Sequence, residues 1–491
     1  MTTDPPDTPA SDARRADDGP TFRDGEPGHG VFGRERRALT FGVLLAVASF
    51  AAEGMGVVPA LPTVVRELGG MSLFGLAFST FMLAWLLGTV AAGQLADARG
   101  PGQAMAAGLS GFGAGLLLAA AARGMPLFLA GRALQGAGGG AMLAAAYVAV
   151  ARGYPDALRA RMMALTSSAW IVPAVCGPAL SGYVVQRASW RLVFVGVVPL
   201  LVVTALVVLP PMRALALHKP LGDGVRLRKA ARLAAGAGLL LGSAALRRDT
   251  WPWLGGALAT GALGFALLAP ALRALLPAGA LTARPGLPAG IAVRGVLAFA
   301  YFGTEAFVPL GASELRGASP TRAGLVLSAA SLGWIAASWV QDRQESRTGA
   351  SGRAARVQRG FGVLTLGIAL VAVGLLSSLP AALAGVGCLI AGAGIGTTYG
   401  ATTLYCIAEA PPGREGEVSG QLQLAEALCT AAATGLGGAV YAAVEHQGHG
   451  PRGALAAVLA LTLAVSALGI AVAARLRARR GSTPTTNKGA A

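Results

Sequence analysis

Charged side chains are scarce in this sequence: Asp, Glu, Lys and Arg make up 13% of 491 residues, about half the usual share of a soluble domain. With 54% hydrophobic residues, the chain has more apolar surface than one globular core can bury, so a bilayer is its natural solvent. Lysine is nearly missing, three against 37 arginines, and with the Ala and Gly bias this points to a GC-rich bacterial genome. There are only four cysteines, Cys176, Cys388, Cys406 and Cys429. All fall inside apolar runs without metal-type spacing, which makes them small buried hydrophobes rather than disulfide partners. His218, His446 and His449 sit in expected loops and converge on nothing. No Walker loop, nucleophile elbow or HExxH helix is present, so ATP-driven chemistry has no support and no cofactor is expected. The N-terminal stretch lacks an apolar core and cleavage site, so a removable signal peptide is not expected.

What is present is a succession of apolar runs punctuated by arginine. They lie near residues 38–62, 72–96, 103–122, 126–151, 162–186, 191–210, 230–246, 251–272, 290–310, 320–341, 360–378, 381–408, 418–444 and 453–474. Most have the roughly 20 residues that cross about 30 Å of hydrocarbon as a helix; 230–246 is the weakest. With both termini inside, 26 of the 40 Lys and Arg fall on inner flanks and loops and 9 on outer ones, the bias of the positive-inside rule. The net charge of +17 is thus a membrane signature, and no nucleic-acid partner is expected. The 71 glycines suit close helix packing in lipid.

An internal repeat is visible. Glu53 followed by Pro59 in helix 1 is matched 252 positions later by Glu305 followed by Pro309 in helix 9, and Gly93 to Asp97 by Ser338 to Asp342 at an offset of 245. The expected organisation is an all-α membrane protein: a disordered tail (1–37), a six-helix bundle (38–212), a basic linker with two inserted helices (213–289), a second six-helix bundle (290–475) and a tail (476–491). Halves of this kind around a midplane site are a recurrent transporter design.

Four signatures then appear in order. GQLADARG, from Gly93 to Gly100, resembles the helix 2–3 loop of the major facilitator superfamily. RALQGAGGG, from Arg132, is similar to its helix 4 pattern. GPALSG, from Gly177 to Gly182, resembles the helix 5 signature of the drug/proton antiporter branch. Glu53 with PALP (Pro59 to Pro62), and Ser189-Trp190-Arg191 leading to Phe194, resemble the same branch. Fourteen spans resemble its fourteen-helix members. The sequence departs from the pattern at Pro101 and Gly102, where a basic pair is usual and Arg99 alone is basic, and at Pro173 in place of a glycine. The resemblance implies proton-driven export of small amphipathic compounds by alternating access, in a bacterial cytoplasmic membrane, by a chain expected to act as a monomer. A narrow-specificity exporter or importer of a metabolite or lipid is the alternative; a membrane-embedded enzyme or non-transporting receptor is the alternative of a different class.

Ionisable groups inside a bilayer are costly and usually mark a pathway. Glu53 lies roughly 22 Å and Glu305 roughly 21 Å from the inner ends of their helices at about 1.5 Å per residue, and Arg132, entering from outside, reaches a similar depth. A Glu53–Arg132 pair would let movement of the cation change the proton affinity of the acid. Glu53 is therefore a candidate for proton coupling, for a structural ion pair or for binding a cationic substrate. Glu305 is a second coupling candidate or a polar cavity wall. Gln135, one turn from Arg132, is expected to orient it. Glu426, roughly 12 Å into its helix, is a third intramembrane acid and a candidate for the cavity, with a hydrogen bond across helices as the plain alternative; Phe81, Trp85, Tyr301 and Phe302 are candidates for the cavity, with helix packing as theirs. Asp97, Arg99 and Gly93 are gating candidates. Gly177, Pro178 and Gly182 are expected to form a bend and a tight seal between the halves.

This topology is open to a direct check: labelling of single cysteines at Arg226 and Arg353 is expected from inside, and at Arg187 and Arg316 from outside. Finding Arg226 and Arg353 on opposite sides would refute the span count.

Overall fold

An apolar run in hydrocarbon must satisfy its own backbone donors and acceptors, which the α-helix does within one segment. In the computed structural model, which describes residues 30–215, 225–245 and 251–477, the described residues are helical without strands. The helices are α1 (Arg37–Leu68), α2 (Phe74–Arg99), α3 (Pro101–Ala120), α4 (Met125–Gly153), α5 (Asp156–Ser168), α6 (Ile171–Arg187), α7 (Arg191–Val195) and α8 (Val198–Arg213). They continue with α9 (Val225–Ala245), α10 (Trp251–Leu275), α11 (Leu287–Arg316), α12 (Pro320–Thr348), α13 (Arg353–Leu376), α14 (Ala382–Ala408), α15 (Glu415–Val444) and α16 (Gly450–Ala474). The expected polar tails for the most part, and the part of the basic linker with His218 and Lys219, lie outside the described residues.

Proline and glycine set the interruptions. The expected fifth helix is divided into α5 and α6 just before Pro173, and the sixth into α7 and α8 just before Pro199; each proline sits in a first turn, where its missing N–H costs no helical bond. Pro178, where a bend is expected, lies inside α6. The helices at corresponding places in the repeat, α1 and α11, both stop at a left-handed glycine, Gly69 (φ 67°) and Gly317 (φ 58°), a conformation that glycine adopts without a Cβ clash.

Helices α1 to α4, α6 and α8 pack on one another, and so do α11 to α16. The two sets meet where α6 crosses α12, where α2 crosses α15 and where α1 approaches α11. The hairpin of α9 and α10 lies against α2 and α15, with Leu233, Ala234, Ala237 and Leu241 on Leu83, Leu86, Leu424 and Ala431. Glycine permits the tightest crossings. A Cβ at Gly88 would overlap the carbonyl of Ala137, and one at Gly138 the backbone nitrogen of Phe112, so α2 and α3 both ride on the backbone of α4. In the other set Gly333 and Gly392 bring α12 and α14 together in the same way.

Eleven segments among the described residues are long and apolar enough to cross a membrane. Two of them, Pro320–Leu376 and Glu415–Ala474, are 57 and 60 residues long, and each holds two of the helices named above. Helix α9, which holds most of the weakest apolar run, 230–246, is not among the eleven; its first turns carry Arg228, Lys229 and Arg232.

Because the clash at Gly138 is with backbone, no rotamer relieves it. Gly138→Val is expected to cost about 1–3 kcal/mol or more, read as a lower melting temperature of the purified protein in detergent than that of Gly93→Ala, where a Cβ meets open space.

Candidate functional site

Halfway along α1, Glu53 is 1% exposed, and Arg132 of α4 reaches it with 3% exposure. The Nη1 of Arg132 donates to Oε1 of Glu53 and, at 2.5 Å, to Oε1 of Gln135, while its Nε donates to the Ala77 carbonyl at 3.2 Å. The guanidinium lies 4.3 Å from the Phe81 ring centroid, which adds a cation–π contact. The other oxygen of Glu53, Oε2, is buried without a hydrogen-bond partner, and so is Nε2 of Gln135. One carboxylate oxygen is therefore held by a cation and the other has nothing to accept from. The arrangement can store a proton or release one as the Arg moves. The structure thus brings Glu53, Arg132 and Gln135 together.

A second buried cation lies in α11. Arg294, 2% exposed, stacks on the Tyr399 ring at 3.5 Å and donates through Nη2 to the Tyr399 carbonyl at 3.1 Å and to the Thr403 hydroxyl. Its Nη1 is 3.6 Å from Oε2 of Glu426, and the Tyr399 hydroxyl donates to that same oxygen at 3.1 Å. Nε and Nη1 of Arg294 have no hydrogen-bond partner. Glu426 keeps 25% exposure. Glu305 is not drawn to either arginine. It lines a small cavity among α11 to α14 with Tyr301, Leu327, Ile368 and Cys388. Tyr301, Phe302, Trp334 and Tyr399 form a continuous aromatic wall with neighbouring centroids 5.2 to 5.6 Å apart. Trp85 is half-buried and its indole N–H has no acceptor.

At one end of the molecule the two helix sets are pressed together. A Cβ at Gly182 would overlap the Pro320 carbonyl, one at Gly324 the Pro178 carbonyl, and one at Gly75 the Thr434 carbonyl. Ser79 donates to the Ala431 carbonyl at 2.8 Å, Thr321 to Gln186 at 2.5 Å, and Arg66 pairs with Glu314 at 3.5 Å. Pro178 and Gly182 are therefore at the contact. Gly177 is beside it, facing the Met55 side chain. At the opposite end, Asp97 pairs with Arg152 at 2.8 Å, and the same Arg donates to the Ala96 carbonyl; Arg99 is exposed, and a Cβ at Gly93 would meet nothing. In the other set, three residues beyond Asp342, the counterpart of Asp97 in the repeat, Glu345 lies between Arg353, at 2.7 Å, and buried Arg356.

Arg294, Tyr399, Trp334, Arg152 and the Glu345 cluster were not among the residues the sequence singles out. Arg294 carried the signal that marks Arg132, a lone cation inside an apolar run. Arg152 and Glu345 look like ordinary flanking charges until the fold supplies their partners.

A sequence profile of the Major Facilitator Superfamily matches residues 39–434. The chain belongs to this superfamily. Membership sets it among transporters and not among enzymes. It is 32% identical over 298 residues to an uncharacterized MFS-type transporter of Mycobacterium tuberculosis, a match covering 59% of this chain and 42% of that one. It is 28% identical over 313 residues to a probable multidrug-efflux transporter of the same species, covering 61% and 65%. The matches thus span less than two thirds of either relative. A peptide transporter of known structure superposes with a TM-score of 0.66 at 17% identity, covering 92% of this chain and 96% of that one. A human organic anion transporter does so at 0.55 and 19%, covering 90% and 99%. At such identities the likeness is one of fold.

The contact at Gly182 leaves no room for a side chain. In Gly182→Leu, a disulfide or short crosslink between cysteines at Gln186 and Thr321 is expected to be lost while membrane insertion persists. An undiminished crosslink would show that Gly182 is not needed for the seal.

Proposed function

We propose that the chain is a secondary transporter that exports small amphipathic compounds in exchange for protons, by alternating access of two six-helix bundles, residues 38–212 and 290–475, with α9 and α10 inserted between them. In this reading there are fourteen spans: the two double-length segments each cross twice and α9 crosses once. Its membrane is the bacterial cytoplasmic membrane with both termini inside, in keeping with the multi-pass architecture and the bacterial relatives. No cofactor is needed, since the driving force is the proton gradient.

The observation that carries the reading is the Glu53–Arg132 pair, an acid and a base buried together at mid-helix with one carboxylate oxygen left unsatisfied. A purely structural pair in lipid gains from having every donor and acceptor satisfied, because an unpaired buried oxygen costs about 1–3 kcal/mol. An oxygen left open at that cost is suited to take a proton. Protonation neutralises Glu53 and weakens its hold on Arg132; Arg132 still has Gln135, the Ala77 carbonyl and Phe81 to receive it. With the end that carries Gly182 and Pro320 outermost, the structure is sealed outside, and Asp97–Arg152 and Glu345–Arg353 sit at the inner helix ends, where they would brace the open bundles. Export of amphipathic compounds is supported by the aromatic wall of Tyr301, Phe302, Trp334 and Tyr399 and by the names of several relatives, among them Multidrug resistance protein 3 of Bacillus subtilis.

The test is transport into proteoliposomes under an imposed pH gradient, with tetraphenylphosphonium as a lipophilic cation, chloramphenicol as a neutral compound, and fluorescent lipids. Glu53→Gln keeps size and hydrogen-bonding capacity but cannot titrate, so pH-driven accumulation is expected to vanish while exchange of preloaded compound continues. If only cation binding collapses and neutral compounds are still pumped, Glu53 holds substrate instead. Full proton-driven transport by the variant would overturn both roles.

A further inference from the structure

The second buried arginine raises a question that Glu53 does not answer. Arg294 is enclosed almost completely, yet two of its three nitrogens, Nε and Nη1, donate to nothing. Burying guanidinium donors without acceptors is costly, and the acid that would relieve this stands just out of reach: Nη1 is 3.6 Å from Glu426, an ion-pair distance but not a hydrogen bond. The Tyr399 ring lies under the cation at 3.5 Å and its hydroxyl donates to Oε2 of Glu426 at 3.1 Å. Tyr399 therefore touches both charges, the cation with its ring face and the acid with its hydroxyl, while occupying a single carboxylate oxygen. A small movement of Arg294 toward Oε1 would turn a loose pair into a charge-assisted hydrogen bond.

Depth and access separate this pair from the first. Glu426 is eleven residues into α15 and Arg294 seven into α11, about 16 Å and 10 Å from those helix ends, whereas Glu53 is sixteen residues into α1, about 24 Å by the same rise. Glu426 keeps 25% of its surface while Glu53 keeps 1%. In one and the same conformation, then, one acid is closed off with its arginine hydrogen-bonded and the other is partly exposed with its arginine at ion-pair distance. The groups acting on Glu426 are Arg294 from α11 and Tyr399 from α14, with Tyr147 of α4 behind Tyr399.

We propose that Glu426 is a second proton carrier of the cycle and Arg294 the cation that replaces its proton, so that two protons cross for each substrate, one on Glu53 and one on Glu426. The inference rests on the proton-coupled reading above. In the exchange step the O–H bond at Oε1 breaks, the proton passes to water of the cavity on the open side, and the carboxylate left behind accepts from Nη1 of Arg294. No electron transfer and no other reactant is involved. Placing the two acids on different helix sets, at different depths, lets each be exposed in a different stage of the rocking motion.

Two measurements on the full chain decide it. In pH-difference infrared spectra of the purified protein, which need no substrate, Glu426→Gln is expected to remove one titrating carboxyl C=O band that Glu53→Gln and Glu305→Gln leave in place. In proteoliposomes, the proton-to-substrate ratio from balancing pH and substrate gradients, using tetraphenylphosphonium or chloramphenicol, is expected to fall by one in Glu426→Gln. Should that variant fold poorly, the charge-neutral pair Arg294→Gln with Glu426→Gln is expected to give the same two losses. An unchanged spectrum, or an unchanged ratio in a chain that is proton-driven, would overturn this inference alone. A titrating Glu426 band in a chain whose transport ignores the pH gradient would overturn the coupled reading itself, and the ratio with it.

Discussion

A charge inside hydrocarbon must find a partner, and the arrangement of the transporter's middle follows from how few partners are available. An ionised side chain at mid-membrane costs about 2.5–3.5 kcal/mol on insertion scales, so Arg132 binds all that α1, α2 and α4 offer it: Glu53, the Ala77 carbonyl, Gln135 and the Phe81 face. The pair ties three helices together at one point. Because Glu53 is held by one oxygen only, the tie is also the place where, on the proposed reading, a proton would change the balance of forces. Structural need and proposed coupling thus reside in the same atoms.

Small residues supply the second constraint. In lipid there is little hydrophobic gain from bringing helices together, so close backbone contact has to do it. The contacts fall into two kinds. Gly88, Gly138, Gly333 and Gly392 join helices within a set, where nothing need move. Gly75, Gly182 and Gly324 join helices of different sets, where the contact must form and part if access alternates. A surface of glycine against carbonyl oxygen suits that use: it packs closely, and it is supplemented here by the Phe74–Phe307 ring contact and by polar links such as Arg66–Glu314 and Thr321–Gln186.

The two helix sets share a plan but not a chemistry. Glu53 and Glu305 occupy corresponding places in the repeat, yet Glu53 meets an arginine and Glu305 meets Tyr301 and an apolar cavity. The second set keeps its arginine nearer the helix ends, on Tyr399 and beside Glu426. A repeat preserves the backbone frame, and the side chains that carry charge diverge within it.

How much was legible beforehand follows from the range of each interaction. Apolar runs, the arginines between them and the four ordered signatures identify a multi-pass helical chain of this superfamily, because hydropathy and local pattern act over a single helix. Glu53 and Arg132 were legible for the same reason: a lone charge in an apolar run is conspicuous, and counting residues from the helix ends gives its depth. Arg294 carried the equal signal, but its meaning waits on Tyr399 and Glu426, more than a hundred residues away. The break in the helix before Pro173, the place of Gly182 rather than Gly177 at the seal, and the pairing of Asp97 with Arg152 were decided by the tertiary structure alone. Depth along a helix is a one-dimensional property that the sequence determines by itself; rotation about the helix axis and the identity of the facing helix are not, and those two decide which charges meet.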